Sequence, residues 1–268
     1  MTALSYSILD SAPASLHKTS VLVTGETEAL VVDAAFTRAD GHRIVAAVLD
    51  SGRTLRAVVI SAGDPDFYFG AEVIADAFPD ARFVAPADVI DHIHASYEGK
   101  LKAWAHLGAN LPTRLVEIEA LAETTITVDG VTIEVRRGGD RLGDRAWYLW
   151  EAASRSLFGG VLLFEGLHVW TADAATSALR TEWVRILDDL LALSPAFVVA
   201  GHRTAGAPTD ATAIRHTREY LERFEALVST SRDGGALEAA LLAAYPGAGL
   251  AIAAGLGSKV AKGEMTWG

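Results

Sequence analysis

The sequence contains no cysteine among its 268 residues. Disulfides, thiolate metal ligands and a cysteine nucleophile are therefore excluded. Positive charge is also scarce, because 23 Lys and Arg residues stand against 34 Asp and Glu residues, a formal net charge of −11. The basic residues are scattered, and the densest group, residues 135–141, contains an acid. Since nucleic-acid binding depends on clustered Lys and Arg, we expect no nucleic-acid partner.

Long apolar runs are also missing. The nearest approach to a membrane span of about 20 apolar residues is Leu237–Val260, which Pro246 and four glycines interrupt. We therefore expect two short helices there and no membrane partner. The first residues show neither the basic region nor the long apolar region of a signal peptide, so the expected location is the cytoplasm.

The composition and the order of predicted elements indicate a globular protein of mixed helices and strands, in the α/β (α+β) class. Half of the residues are apolar and 21% are charged, which is typical of a chain with an ample core. Short β-branched runs predict strands in the N-terminal third, and Asp129-Gly130 predicts a hairpin within residues 125–137. Helical spacing occurs in residues 37–52 and again from residue 181 onward. Strand runs in both halves, each interleaved with helices, predict two sheets between outer helices, an αββα sandwich.

The stretch ISAGDPDFYFGAEVI, residues 60–74, joins a predicted strand to a predicted helix. Asp64 and Pro65 suit a helix start, because Asp is a preferred cap and Pro is favoured at the first helical position. Asp66 in the first turn complements the helix dipole. The same carboxylates beside three aromatic residues also suit a functional site, and the residues alone leave both interpretations open.

In its place along the chain, this stretch resembles the metal-binding turn T-H-x-H-x-D-H-x-x-G of the metallo-β-lactamase superfamily, in which a strand also runs into a helix. The order of the other elements resembles that family from about Ser20 to His202. The resemblance implies a four-layer αββα sandwich, with residues 1–268 as a single domain. We further expect residues 205–268 to form a C-terminal helical extension packed on that domain.

Residue by residue, the family's motif is only partly kept. Asp66 and Gly70 match its Asp and closing Gly, but its three histidines are replaced, by Ala62, Asp64 and Phe67. Later segments of the family's pattern are also only partly kept. The nearest match to a further histidine is Asp140, and Val161 stands in place of the bridging aspartate. The last histidine is kept, as His202. A turn of the form D-P-D-[FY]-Y-F-G also resembles a subgroup of the superfamily, so we expect the loss to be a property of that subgroup.

The resemblance implies a metal site of altered composition. The usual dinuclear zinc centre is not expected, because zinc sites are usually built from imidazole and thiolate. The candidate ligands are Asp64, Asp66, Asp140 and His202, an oxygen-rich set that suits one harder divalent ion such as Mn²⁺, Mg²⁺ or Ca²⁺. A protein with no cofactor is the other expectation that remains.

Further candidate residues lie outside that turn. His168 is a candidate general base or ligand, with Asp173 to orient it, or else a half-buried structural histidine beside an aromatic residue. The substrate-binding candidates are aromatic: Phe67, Tyr68, Trp104 and Trp170. The segment that holds Trp104 would cover the site and shape a pocket, although a plain amphipathic helix fits equally well.

A pair of helical histidines is a weaker candidate. His92 and His94 are two residues apart on a predicted helix, so they point to different faces and are expected to be surface or structural residues.

By resemblance, the protein is expected to be a hydrolase of small esters, lactones, thioesters or related acyl compounds, with Asp66, His202 and His168 as catalytic candidates. A bound ion would polarise the carbonyl group and lower the pKa of its water. Without an ion, an Asp–His pair would have to activate water. The alternative is a non-catalytic small-molecule-binding or scaffold protein that kept the fold. The partner is a small molecule in both cases, and the apolar C-terminal helices add a homodimer as a further expectation.

Overall fold

The structure, a computed structural model, describes residues 3–267. Within them, a six-stranded sheet contains strands β1 to β6 in sequence order. The first three strands are antiparallel, and the later pairs from β3 to β6 are parallel. The chain segments that follow the parallel strands therefore meet at one edge of the sheet. The strands are β1 (Ser5–Asp10), β2 (Thr19–Thr24), β3 (Glu28–Val32), β4 (Thr54–Val59), β5 (Arg82–Ala85) and β6 (Glu119–Ala120).

The second sheet has the strand order β12-β10-β9-β8-β7 within the described residues. Its β7–β8 hairpin confirms the predicted turn, because Asp129 and Gly130 both have positive φ, 47° and 77°. Its strands are β7 (Thr125–Val128), β8 (Val131–Arg137), β9 (Trp147–Glu151), β10 (Ser156–Phe158) and β12 (Phe197–Val198). Two short parallel strands, β11 (Phe164–Glu165) and β13 (His202–Arg203), form a separate pair.

Eight α-helices are found within the described residues. They are α1 (Arg38–Ser51), α2 (Pro65–Tyr68), α3 (Ala71–Ala77), α4 (Ala87–Ala103), α5 (Ser177–Ala192), α6 (Thr212–Thr230), α7 (Gly234–Ala244) and α8 (Ala251–Ala261). The helices α7 and α8 confirm the two short helices expected in the apolar stretch. Among residues 3–267, no helix is long and apolar enough to cross a membrane.

The predicted helix after β4 is divided into α2 and α3 at Gly70. A Cβ atom at Gly70 would lie 2.1 Å from the carbonyl oxygen of Ala34, so only glycine allows this close approach of two backbones. The division therefore has a long-range cause. It keeps the first turn, with Asp66 and Phe67, apart from the regular helix that follows.

The core shows the layers directly. Alternate residues of the first sheet, such as Val21 and Val23, share one apolar cluster with residues of the second sheet, such as Ile133 and Leu149. The intervening residues, such as Leu22, belong to another cluster that includes helical side chains. Because side chains alternate between the faces of a strand, two sheets packed face to face with helices outside explain both clusters. The αββα sandwich is confirmed. The division into a domain and an extension over 205–268 stays a prediction.

Candidate active site

The turn after β4 starts α2 with Asp64 at its N-cap and Pro65 at its first position, as expected. However, the Asp64 side chain makes no capping hydrogen bond. Its carboxylate instead contacts Arg145 and Lys100. The capping recipe therefore explains where the helix begins, while the Asp64 carboxylate is engaged in tertiary contacts.

A network of buried polar side chains, Ser61, Asp33 and Lys18, packs next to this turn. The Ser61 hydroxyl donates to Asp33 Oδ1 at 2.6 Å and accepts the backbone N–H of Gly160 at 2.8 Å. Lys18, which is fully buried, donates from Nζ to Asp33 Oδ2 at 3.0 Å. The same ammonium lies 4.0 Å from the centroid of the Phe67 ring. Phe67 is thus seated on a buried cation, a favourable cation–π geometry.

A cavity of about 880 Å³ opens beside the turn. It is within the range of small-molecule sites. Six of the predicted site residues contribute to its lining: Asp64, Asp66, Phe67, Trp104, Trp170 and His202. Four further ionisable residues also line it: His92, Lys100, Arg145 and Asp173. One end of the pocket is therefore rich in charge, and much of the rest is apolar.

Asp66 and His202 form a close pair at the cavity surface. Their Oδ2 and Nε2 atoms lie 3.2 Å apart, and their side chains are 7% and 6% exposed. Nδ1 of His202 lies 3.0 Å from the carbonyl oxygen of Leu16, which can only accept, so Nδ1 carries the proton. Asp66 Oδ2 is buried and has no well-aligned hydrogen-bond partner among the described residues.

The surroundings favour the neutral form of both groups. Burial, reinforced by the negative charge of Asp64, raises the pKa of Asp66 to about 7. Burial and the nearby ammonium of Lys18 lower the pKa of His202 to about 3. With Nδ1 of His202 protonated, its Nε2 holds a lone pair that faces Asp66. A protonated Asp66 is the natural partner of that lone pair, so the two side chains titrate as one unit.

Arg145 joins two carboxylates at the same end of the cavity. Its guanidinium contacts Asp64 Oδ2 at 2.5 Å and Asp173 Oδ2 at 3.0 Å. Lys100 Nζ lies 3.5 Å from Asp64 Oδ1. Burial pushes the pKa of Asp64 upward, but the positive charges of Arg145, Lys100 and His92 outweigh it, and the pKa lies below its ordinary value. Asp64 is therefore held as a charged carboxylate.

His92 also belongs to the cavity wall. Its Nδ1 lies 2.7 Å from Asp144 Oδ2, and this contact raises the pKa of the imidazole. A structural role, one of the two predicted for His92 and His94, is compatible with this contact of His92, although its place in the cavity wall was not predicted. His94 is exposed, as expected.

Three predicted site residues lie elsewhere. The Asp140 side chain is 95% exposed and pairs with Arg137, so it does not join Asp64 and Asp66. Tyr68 is buried and packs on Phe69 and Tyr97 outside the cavity lining.

His168 is the third of these residues. It is fully buried, and its Nδ1 lies 3.0 Å from the hydroxyl oxygen of Tyr220. Asp173, its expected partner, instead pairs with Arg145 and accepts a hydrogen bond from Trp267. Burial lowers the pKa of His168 and keeps the ring neutral. The structural interpretation of His168 fits this position, since the residue does not line the cavity.

A profile described as the metallo-β-lactamase superfamily matches residues 16–202, which is more than half of the chain. The chain belongs to the metallo-β-lactamase superfamily. The match ends at His202, the residue that corresponds to the last histidine of the family's pattern.

Solved structures of metallo-β-lactamases share this fold. A metallo-β-lactamase family protein from Thermus thermophilus matches with a TM-score of 0.65 and 18% identity over 96% of this chain and 92% of its own. The DIM-1 metallo-β-lactamase matches with a TM-score of 0.56 and 18% identity, over 82% of this chain and 93% of its own. The metallo-β-lactamase from Pontibacter korlensis matches with a TM-score of 0.52 and 15% identity, over 83% of this chain and 99% of its own. At these identities the likeness concerns the fold alone. A search of curated proteins found no significant match.

The superfamily's zinc centre does not fit the residues found here. Among residues 3–267, no three His, Asp or Glu side chains form a group that could hold a metal ion. Asp64 is engaged by two cationic side chains, and Asp140 lies outside the cavity. The motif positions that lost their donor atoms are occupied by buried apolar side chains, at Ala62, Phe67 and Val161. The predicted set of four ligands is therefore not assembled.

The sequence interpretation missed the cations of the site. Lys18 and Arg145 are far from the turn along the chain, and each reaches it only through tertiary contacts. Arg145 lies in a short 3-10 turn, Gly143–Ala146, close to the segment searched for a histidine. The predicted candidate in this segment, Asp140, is five residues from Arg145, but an acidic ligand and not a basic residue was expected there.

Proposed function

We propose that this protein hydrolyses a small ester, lactone, thioester or related acyl compound without a metal ion, using Asp66 and His202 as a general-base pair. The observation that carries the proposal is the buried contact between Oδ2 and Nε2 of these residues at the surface of the cavity. Asp66 Oδ2 has no well-aligned hydrogen bond among the described residues besides this contact, and this supports the proposal, since the atom retains the capacity to bind a water or substrate.

The pair can accept one proton. When Asp66 is ionised, its carboxylate lines the cavity beside His202, and a water between the pair and the acyl carbon can be deprotonated. The carbonyl oxygen of Leu16 fixes the His202 tautomer by accepting a hydrogen bond from Nδ1–H. A positioned imidazole of known tautomer is what general-base catalysis requires.

The proposed reaction balances as a simple hydrolysis. The water oxygen forms a bond to the acyl carbon while the pair takes its proton, and the carbonyl oxygen becomes negative. Lys100 and Arg145 are the cationic donors that line this end of the cavity and are placed to stabilise that charge. The bond to the leaving oxygen or sulfur then breaks, and the leaving group takes the proton back from the pair.

A binding protein without catalysis is the second candidate, and one observation favours it. Arg145 is already held by two carboxylates, so its charge is largely compensated in the absence of a ligand. The cavity would then bind an apolar small molecule without converting it. The expected cytoplasmic location and the homodimer stay predictions under either function.

The first test is hydrolysis of an ester, lactone and thioester panel by protein dialysed against a chelator. We expect turnover that chelator and added Zn²⁺ or Mn²⁺ leave unchanged. Asp66→Asn and His202→Gln should each lower kcat by about 100-fold or more, the usual contribution of a positioned base. The matched controls are Asp140→Asn, which lies outside the cavity, and His94→Gln, on the exposed face of α4.

Loss of turnover on chelation, with recovery on metal addition, would overturn the metal-free mechanism. No hydrolysis of any panel member, combined with tight ligand binding, would favour the binding protein.

The pH dependence gives a second, independent test of the pair. Burial raises the pKa of Asp66 to about 7, and only the ionised pair can accept a proton. The sign follows directly: kcat/KM should be low at pH 5, rise through pH 7 and level off above pH 8. A rate that falls as the pH rises through 7 would show that the pair acts as an acid or does not act at all.

A further inference from the structure

Resting on the proposed function, we infer that the acyl compound carries a planar aromatic body, which binds in the apolar part of the cavity against Trp267. Trp267 would then be the residue that determines substrate specificity. The proposal concerns the part of the pocket away from Asp66 and His202. It can fail while the hydrolytic chemistry stands, and the reverse also holds.

The helix α4 lines the cavity with two parallel stripes. His92, Ser96 and Lys100 form a polar stripe at a spacing of four residues, and its two ends contact Asp144 and Asp64. The neighbouring stripe consists of small residues at the same spacing: Ala95, Gly99 and Ala103. Residues four apart lie on one face of a helix, so the small stripe leaves an even surface along α4. A flat group can approach that surface closely.

Aromatic residues supply the rest of this apolar part. Three of the chain's six tryptophans line the cavity, namely Trp104, Trp170 and Trp267. The rings of Trp170 and Trp267 have centroids 5.7 Å apart at 61°, an edge-to-face contact. Aromatic rings prefer such geometry and offset stacking, and each such pair is more favourable than the area it buries alone would make it. A planar ligand gains from these contacts, whereas a flexible alkyl chain gains only from burial.

Trp267 is held in place by the charged end of the site. Its Nε1–H donates to Asp173 Oδ1 at 2.9 Å, while Asp173 Oδ2 accepts from Arg145. Arg145 in turn contacts Asp64 in the turn before α2. The ring that borders the apolar part is therefore oriented by the same network that borders the reactive pair.

The rim of the cavity is unusually apolar for an exposed surface. Among residues 3–267, four large apolar side chains are exposed, and two of them, Ile252 and Met265, line this cavity. Leu256 of α8 continues the same surface inward. Exposed apolar side chains gathered at a cavity mouth indicate an apolar ligand. At the other end of the cavity, the buried Asp66 Oδ2 has no well-aligned hydrogen bond among the described residues besides its contact with His202 Nε2, and it can accommodate a polar group of that ligand.

The experiment compares aryl and alkyl ligands on three variants. Trp267→Ala removes the ring, and Trp267→Phe keeps a ring but loses the hydrogen bond to Asp173. Leu242→Ala is the matched control, because Leu242 is also an exposed large apolar residue but does not line the cavity. Binding is measured by calorimetry with naphthalene-2-carboxamide, decanamide and acetamide, which differ in the body attached to one carbonyl group.

We expect naphthalene-2-carboxamide to bind the wild-type protein about two- to tenfold more tightly than decanamide, the range that one stacking contact supplies. Trp267→Ala should remove that preference, Trp267→Phe should keep most of it, and Leu242→Ala should leave it unchanged. In the hydrolysis assay, Trp267→Ala should raise KM about tenfold more for aryl esters than for acetate esters.

Equal or tighter binding of decanamide, or an aryl preference that survives Trp267→Ala, would overturn the inference. Binding of the amides does not depend on turnover. An aryl preference without any hydrolysis would therefore reject the proposed chemistry while keeping this inference, and hydrolysis without an aryl preference would do the opposite.

Discussion

Two aspartates of one turn, Asp64 and Asp66, are separated by a single proline and have opposite electrostatic surroundings. Asp64 contacts Arg145 and Lys100, and these cations hold its pKa below the ordinary value despite burial. Asp66 contacts only the neutral His202, and burial raises its pKa to about 7. The comparison shows that the role of a carboxylate is decided by its neighbours, since the two residues are chemically identical.

The difference also supports the proposal of a site that works without zinc ions. The fold brings many acids to one end of the cavity, and some positive charge must compensate them. In this chain side chains supply that charge: Arg145 bridges Asp64 and Asp173, and Lys18 is buried against Asp33. Asp66 is the carboxylate left outside these pairs, so it can take part in proton transfer.

The largest effect is expected from breaking the Asp64 region at Arg145. Arg145→Met leaves the carboxylates of Asp64 and Asp173 without their shared cation. We expect the free energy of unfolding at pH 7 to fall by about 3 kcal/mol, as for other pairs broken by removing one buried partner. The loss should shrink at pH 5, because the uncompensated carboxylates then bind protons more readily in the folded protein. Urea unfolding at both pH values measures this.

The control for that variant is Arg232→Met, which removes an 87% exposed arginine from its pair with Asp233. It should change the free energy of unfolding by less than about 0.5 kcal/mol. A similarly small effect of Arg145→Met would show that the bridge contributes little, and the contrast between the two aspartates would lose its physical basis.

The comparison is sharpened by replacing each aspartate with asparagine, because the two changes should have opposite signs. The pKa of Asp66 is raised from 3.8 to about 7, so the folded protein holds a proton that the unfolded chain releases. Stability from this group is present below pH 4 and is lost as the pH rises to about 7. Asp66→Asn avoids that loss and should be more stable than the wild type at pH 8, by about 2–4 kcal/mol.

Asp64→Asn should instead destabilise the protein at pH 8, since Arg145 and Lys100 lose a charged partner. At pH 4 the stability advantage of Asp66→Asn should vanish, because Asp66 is then protonated in the folded protein and the loss has not yet set in. Unfolding curves at pH 4, 6 and 8 for both variants test this. The same sign for both changes at pH 8 would contradict the assignment of roles.

The smallest effect on activity is expected at His168. This residue is buried beside Tyr220, away from the cavity. His168→Asn should lower the free energy of unfolding by about 1 kcal/mol through the altered hydrogen bond. It should leave kcat, KM and the pH profile unchanged. A loss of turnover comparable to that of Asp66→Asn, in a folded variant, would restore His168 as a catalytic residue.

Local chemistry explains which features were predictable. The Asp129-Gly130 hairpin and the start of α2 at Asp64-Pro65 depend on backbone preferences of a few neighbouring residues, and both are found where expected. The division of the next helix at Gly70 was not predicted, because its cause is the carbonyl group of Ala34. The chain before and at His202 likewise forms two short strands, β12 and β13, which pair with different partners.

The sequence by itself indicated the superfamily fold, through its resemblance to the family's motif and order of elements, and it showed the loss of three motif histidines, because residue identity is a local property. It also identified Asp66 and His202 as candidates. Only the tertiary structure decided that Arg145 neutralises Asp64, that His202 meets Asp66, and that Trp267 reaches Asp173. These contacts join residues about 80 to 140 positions apart, and their electrostatic consequences depend on distance and burial, which no local pattern encodes.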